Sequence, residues 1–180
     1  LSGPQSPNSL FVSEPVHNLV HRMTLAPDGV TLRGGRAKGE ANREFLASSD
    51  HWFRPTMLKT GPDGALWISD MYRAVIEHPE WIPDEIQKRI DLRAGEREGR
   101  IYRVSRTDQP PRRIERLDQL GVEQHVQSLE CPTGWRRDPA QRLLMPRDDR
   151  SCLPLLHQLV QTTAEPRARV HALWLLSILG

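Results

Sequence analysis

The stretch Gly61-Pro62-Asp63-Gly64 followed by Ala65-Leu66-Trp67-Ile68-Ser69-Asp70 restricts the fold of this chain more than any other. Proline at the second position of a type I turn has its φ already set, and glycine at the fourth lets the chain leave with φ > 0. Leu66-Trp67-Ile68 directly after the turn reads as a buried strand, and Thr56 to Thr60 before it as the antiparallel partner. The chain is committed here to a β-hairpin. Its second strand ends on a dense polar and aromatic set, Asp70-Met71-Tyr72-Arg73.

The flanking sequence keeps to the same pattern. Short strand signals run over Leu10–Val12, His17–Leu25 and Val30–Leu32, and Ala26-Pro27-Asp28-Gly29 repeats the turn chemistry. The offset between the two Pro-Asp-Gly copies falls a little short of the roughly 40–50 residues of a propeller blade, so the repeat supports hairpins without specifying a propeller. Phe45–Ala47 and His51–Pro55 lead into the central hairpin. Pro83-Asp84-Glu85 then opens a short helix, with Ile82, Ile86 and Ile90 on one side and Lys88-Arg89 at its end. Arg100-Ile101-Tyr102-Arg103-Val104 alternates as a half-buried strand does.

At Ser105–Pro111 the composition changes. Residues 1–105 form the sheet-bearing part, 106–117 a linker, and 118–180 a helical part in which the period of 3.6 replaces the period of two. Helices are expected over Val122–Leu129, Trp135–Met145, Cys152–Thr162 and Pro166–Leu179. Pro139 suggests that the second begins only at Asp138, with proline in the first helical position. The last helix is apolar on nearly every side, which suits one sandwiched between neighbours in a helical-repeat array. The chain opens Leu-Ser-Gly-Pro-Gln with neither an initiator Met nor a signal sequence, so it is expected to be a piece of something longer.

With 25 basic and 23 acidic residues, interspersed, the net charge of +2 gives no nucleic-acid-binding stripe. No apolar run approaches the ~20 residues of a membrane-spanning helix. Cys131 and Cys152 form neither CxxC nor CxxCH and read as two buried thiols, with no haem attachment motif.

Three groups of residues carry candidate chemistry. Glu14, His17 and His21 stand close in sequence, beside Asn18 and Arg22. On a strand, His17 and His21 share a face, and two imidazoles with a carboxylate suit metal binding or proton transfer, or else satisfy backbone groups in a chain crossing. Asp63 belongs to the turn for local reasons, whereas Asp70 is an oxygen ligand of the kind Ca²⁺ takes, or a salt-bridge partner of Arg54 or Arg73. Trp52, Tyr72 and Trp81 lie in loops or at strand ends, where aromatic faces suit stacking on a sugar ring; Phe53 and Trp67 read as core. His125, His157 and His171 fall on helices as surface or satisfied residues.

The chain resembles the PVC-type membrane-bound dehydrogenases, which join a glucose/sorbosone-dehydrogenase-like β-propeller to HEAT repeats and a c-type haem module. The resemblance rests on Glu14–Arg22, Trp52-Phe53-Arg54-Pro55, Gly61–Arg73, Ile76–Pro83 and Gly99–Val104, with Gly134–Asp138 and Ala140–Leu144 resembling the first helical repeat. It implies C-terminal β-propeller blades of antiparallel β-structure, then all-α HEAT-like repeats, in an extracytoplasmic protein, periplasmic or membrane-associated. It also implies oxidation of a carbohydrate or related alcohol, with electrons passing to a cytochrome c. Ca²⁺ and a quinone are the cofactors expected of the full-length protein, and its remaining blades and repeats are the expected partners. In that chemistry His17, His21, Arg54 and Arg73 are the candidate catalytic groups and Trp52, Tyr72 and Trp81 the substrate contacts. Asp70 and Glu14 are the candidate metal ligands. The competing expectation is a non-catalytic module that recognises a glycan or a protein.

Overall fold

The structure is a computed structural model that describes residues 9–110, 112–146 and 150–180. The chain divides into two compact units, Leu1–Pro111 and Arg112–Gly180. Antiparallel sheets make up the first, and helices the second.

In the sheet unit, β1 (Ser9–Glu14), β2 (Leu19–Asp28) and β3 (Thr31–Arg36) form a meander, and the two-residue β4 (Leu46–Ala47) also pairs with β2. The second sheet is β5 (Pro55–Thr60), β6 (Leu66–Asp70) and β7 (Arg100–Val104), with β6 in the centre. The Gly61–Gly64 turn forms as expected: the Gly64 N–H donates to the Gly61 carbonyl at 3.0 Å, and Gly64 has φ +79°. Trp67 packs so tightly over Gly61 that a Cβ there would overlap the indole.

The other Pro-Asp-Gly copy behaves differently. β2 runs on through Pro27 and Asp28, which pair with Leu32 and Thr31, leaving only Gly29-Val30 to turn. With φ +61° at Gly29, the first of the two central positions, this is the glycine-led hairpin turn whose twist matches the flanking strands.

Alternation along β6 explains the centre of the unit. Leu66, Ile68 and Asp70 share one buried face, with Trp67 and Ser69 on the other. Cross-strand pairing sets Val104 beside Leu66, Tyr102 beside Ile68 and Arg100 beside Asp70. Leu66 and Ile68 form the core with Val20 and Phe53, supported by Phe11, Phe45, Leu46, Leu58 and Val104. The apolar ladder therefore ends in a carboxylate facing a guanidinium. β7 is more open than a half-buried strand, since Ile101 on its outer face is 70% exposed. A four-residue α1 (Asp84–Gln87) follows Pro83 at its N-cap and opens with Asp84 and Glu85.

The helical unit holds α2 (Val122–Ser128), α3 (Gly134–Leu144), α4 (Cys152–Thr162) and α5 (Pro166–Leu179). α2 packs on α3 and α4, and α5 on α4 and α3. α3 runs straight through Pro139 instead of starting at Asp138. Its Arg136 and Arg137 amides bond to the Thr133 carbonyl, so a full turn is in place before the proline omits one bond. The core comprises Val126, Leu129, Ala140, Leu144, Cys152, Leu156, Leu159, Ala172 and Leu175. Cys131 is only partly buried, contrary to the expectation of two buried thiols.

α5 is covered on one side and keeps an apolar face open on the other. Ala168, Ala172 and Leu175 are buried, while Val170, Leu173, Trp174 and Ile178 stay exposed. Glu165 receives the Arg167 N–H and pairs with its guanidinium at 2.7 Å, which holds that carboxyl down to about 2.

Candidate functional site

The polar groups of the sheet unit gather where β5 begins, β6 ends and β7 begins. Asp70 is the hub. Its Oδ1 accepts the backbone N–H of Arg54 at 2.8 Å and of Tyr72 at 2.9 Å. Its Oδ2 takes both Nε and Nη2 of Arg100, at 3.1 and 2.9 Å. The Asp70 side chain is fully buried and that of Arg100 is 37% exposed. This corrects the sequence-based pairing: the guanidinium on Asp70 belongs to Arg100, not to Arg54 or Arg73.

Arg54 and Arg73 are engaged elsewhere. The Arg54 guanidinium donates to the carbonyls of Pro15 (2.8 Å), Arg73 (3.0 Å) and Ala74 (3.0 Å), tying the β1–β2 turn to the segment after β6. Arg73 donates to the Arg93 carbonyl at 2.9 Å. A guanidinium ringed by protein carbonyls holds the chain together and is poorly placed to act on a substrate.

Over Arg100 lies an aromatic stack. Its guanidinium sits 3.6 Å from the Tyr72 ring centre and 5.3 Å from that of Tyr102. Tyr102 meets Phe53 edge-on at 5.8 Å, and on the outer side Trp52 lies 5.5 Å from Tyr72 at an interplanar angle of 57°. Asp50 completes the rim. It accepts the Trp52 N–H at 3.0 Å and approaches Arg100 at 3.5 Å, with 41% of its side chain exposed. The Trp52 N–H bond is the main reason its carboxyl lies below the usual range, with Arg100 and the Tyr72 hydroxyl adding to it. Burial, with the Asp50 charge behind it, pushes the Tyr72 phenol up. Burial is the largest influence on Arg100 and works against its charge, but Asp70 together with Tyr102 and Tyr72 outweighs it and raises the guanidinium.

Tyr72 has φ +50°, an uncommon conformation for an aromatic residue. Asp70 holds its N–H on one side. On the other, Gly95, with φ +85°, approaches its carbonyl so closely that no Cβ fits. Asn18, at φ +60°, is held similarly, its amide donating to the carbonyls of His51 (3.1 Å) and Phe53 (2.6 Å). Both unusual backbones serve to position the Asp50–Phe53 loop and Tyr72.

The two histidines do not come together. His17 lies in the turn between β1 and β2, not on the strand, and its Nδ1 pairs with Glu14 at the end of β1. Glu14 also accepts the backbone N–H groups of Val16 and His17, at 3.3 and 2.9 Å, and the His17 contact holds it below the usual carboxylate range. His21 bonds to Glu44 at 2.6 Å, and Glu44 is shared with Arg36 at 2.7 Å. Beside them Arg22 and Glu40 form a buried two-pronged pair. Among the described residues no three His, Cys, Asp or Glu side chains group as metal ligands. Both candidate metal ligands accept protein donors in this arrangement, Asp70 from the Arg54 and Tyr72 amides and Arg100, Glu14 from the Val16 and His17 amides and the His17 ring.

Trp81 stands apart, 79% exposed in a single 3₁₀ turn over Pro79–Trp81 and without a ring contact among the described residues. Asp63 does the local work expected of it. It accepts the Ala65 N–H and the Trp67 indole N–H, both at 3.1 Å, and pairs with Arg103. Burial opposes its charge, yet these donors prevail and lower its pKa. The clip therefore stabilises the hairpin above the ordinary carboxylate range and is lost as pH falls through the lowered value.

Asp50 and Arg100 are the members that motif reading missed. Comparison with curated proteins gives no match, and comparison with solved structures gives none. Residues 2–108, which hold every group of this cluster, match the model of one family, described only as a domain of unknown function, DUF7133. That match covers more than half of the chain, and the protein belongs to this family.

Proposed function

We propose that the sheet unit is a carbohydrate-recognition module, and that Trp52, Tyr72, Asp50 and Arg100 form its binding rim. The observation that carries this reading is the half-open corner made by Trp52 and Tyr72, with one partly exposed carboxylate and one partly exposed guanidinium beside it. A sugar ring presents a C–H face that packs on an aromatic surface, and neighbouring hydroxyls that a carboxylate and a guanidinium bind in pairs. Asp70 and the strained Tyr72 backbone hold that corner rigid before any ligand arrives, which lowers the entropic cost of binding. Of the candidate catalytic groups, His21 is paired with Glu44, Arg54 and Arg73 are held by backbone carbonyls, and His17 contacts its neighbour Glu14. Recognition is thus favoured over turnover by these residues. The antiparallel sheets are read as blades of a propeller, and the paired helices as HEAT-like repeats, on the strength of the hairpin order and the α2/α3 and α4/α5 packing.

Calorimetric titration of the protein with neutral mono- and oligosaccharides tests the reading. A shallow rim predicts a Kd of about 1 mM or somewhat tighter. Trp52→Ala weakens binding at least about tenfold, by removing the stacking surface, with an unchanged circular dichroism spectrum. Failure of every sugar to bind the intact protein, or full affinity in Trp52→Ala, contradicts it.

A further inference from the structure

In the helical unit, a cavity of about 210 Å³ opens between α2 and α4. Its floor is apolar: Val126 from α2 with Leu155 and Leu159 from α4. The two helices run in parallel, since Glu130 just beyond α2 accepts the hydroxyl of Thr163 just beyond α4, at 2.7 Å. Glu123 consequently stands at one end of the groove and Glu130 at the other, about 10 Å apart along the helix axis. Gln127 and Gln158 line its sides.

Size and charge together select the occupant. Small-molecule sites run to roughly 300–1,000 Å³, so this cavity is too small for a cofactor but admits one large aliphatic side chain. Among the described residues no cationic one lines it. The nearby basic groups have other bonds: Arg136 pairs with Glu115, Arg137 donates to the Cys131 carbonyl, and Arg169 donates to the carbonyls of Val160 and Thr163. Two carboxylates flanking an apolar socket complement one apolar side chain with a basic residue about one helical turn to either side.

We propose that the α2/α4 groove docks a basic amphipathic helix of a protein partner, with one aliphatic side chain in the socket and Lys or Arg residues on Glu123 and Glu130. Among the described residues Glu123 has no hydrogen-bonded or ion-pair partner and is exposed, whereas Glu130 also holds Thr163. The site is independent of the carbohydrate rim.

The test uses the full 180-residue chain. Three dye-labelled synthetic helices serve as probes: one with a leucine stripe flanked by lysines, one with glutamates for the lysines, and one retaining the lysines with the leucines changed to serine. Fluorescence anisotropy is expected to show binding of the lysine–leucine helix alone. Glu123→Lys weakens it about tenfold, and Glu130→Gln, which keeps an acceptor for Thr163, about threefold. Amide chemical-shift changes fall on residues 123–130 and 155–162. Equal binding of the serine helix, no effect of Glu123→Lys, or shifts confined to the Val170–Ile178 face overturns the proposal. Binding only to anionic vesicles, with no peptide bound, overturns it as well.

Discussion

Asp70→Ala is expected to cost the sheet unit about 3–5 kcal/mol, a large share of the total stability of a small domain. The substitution removes one side chain but strands three partners. The Arg54 and Tyr72 amides lose their acceptor in a partly buried place, and Arg100 loses its two-pronged carboxylate. Partial exposure of Arg100 lets water recover some of that loss, which puts the effect nearer the lower figure. Asp70→Asn keeps the shape and one carbonyl acceptor, so it costs less. Chemical denaturation followed by tryptophan fluorescence reads both, and an Asp70→Ala midpoint equal to that of the unchanged protein contradicts the assignment of Asp70 as hub.

Gly95→Ala is expected to cost about 2–4 kcal/mol, far more than an ordinary surface substitution. Two effects add. Gly95 has φ +85°, where an L side chain is strained, and its Cβ would be driven against the Tyr72 carbonyl. Relief requires Tyr72 to move, and Tyr72 carries Arg100 on its face and Trp52 at its edge. The variant therefore loses stability and sugar affinity together. Gly29→Ala is the control, since its φ is also positive but no atom lies near its missing Cβ. Equal cost at the two positions would falsify the claim that Gly95 seats Tyr72.

Much of this architecture is legible in the residues. The Gly61–Gly64 turn, the strands around it and the limits of α4 and α5 follow from turn chemistry and periodicity, because local rules decide them. The two Pro-Asp-Gly copies show where local rules stop. Pro27-Asp28 is absorbed into β2, because pairing with Thr31 and Leu32 outweighs the turn preference of the tripeptide. Pro139 shows the same for helices, where a turn already formed carries α3 past the proline.

The site was partly legible. Asp70, Tyr72 and Trp52 stand out as polar or aromatic groups at strand ends and in loops. Asp50 and Arg100 did not, although Arg100 carried a signal: it precedes Val104 by the same four positions by which Asp70 follows Leu66. Antiparallel pairing of Leu66 with Val104 then places them opposite each other. His17 and His21 misled because spacing on a strand implies a shared face, whereas Glu14 draws His17 into a turn. That preference depends on a carboxylate bonding backbone amides, which periodicity does not register.

Indole N–H signals offer the most direct measurement of the carbohydrate rim. In a titration with the best-binding neutral oligosaccharide, the account predicts that the Trp52 indole shifts in a saturable way. The Trp67 indole, bonded to Asp63 on the other face of β6, stays still, as does the exposed but isolated Trp81. Movement of Trp81 alone, equal movement of Trp81 and Trp52, or no movement of Trp52 at saturating sugar contradicts it.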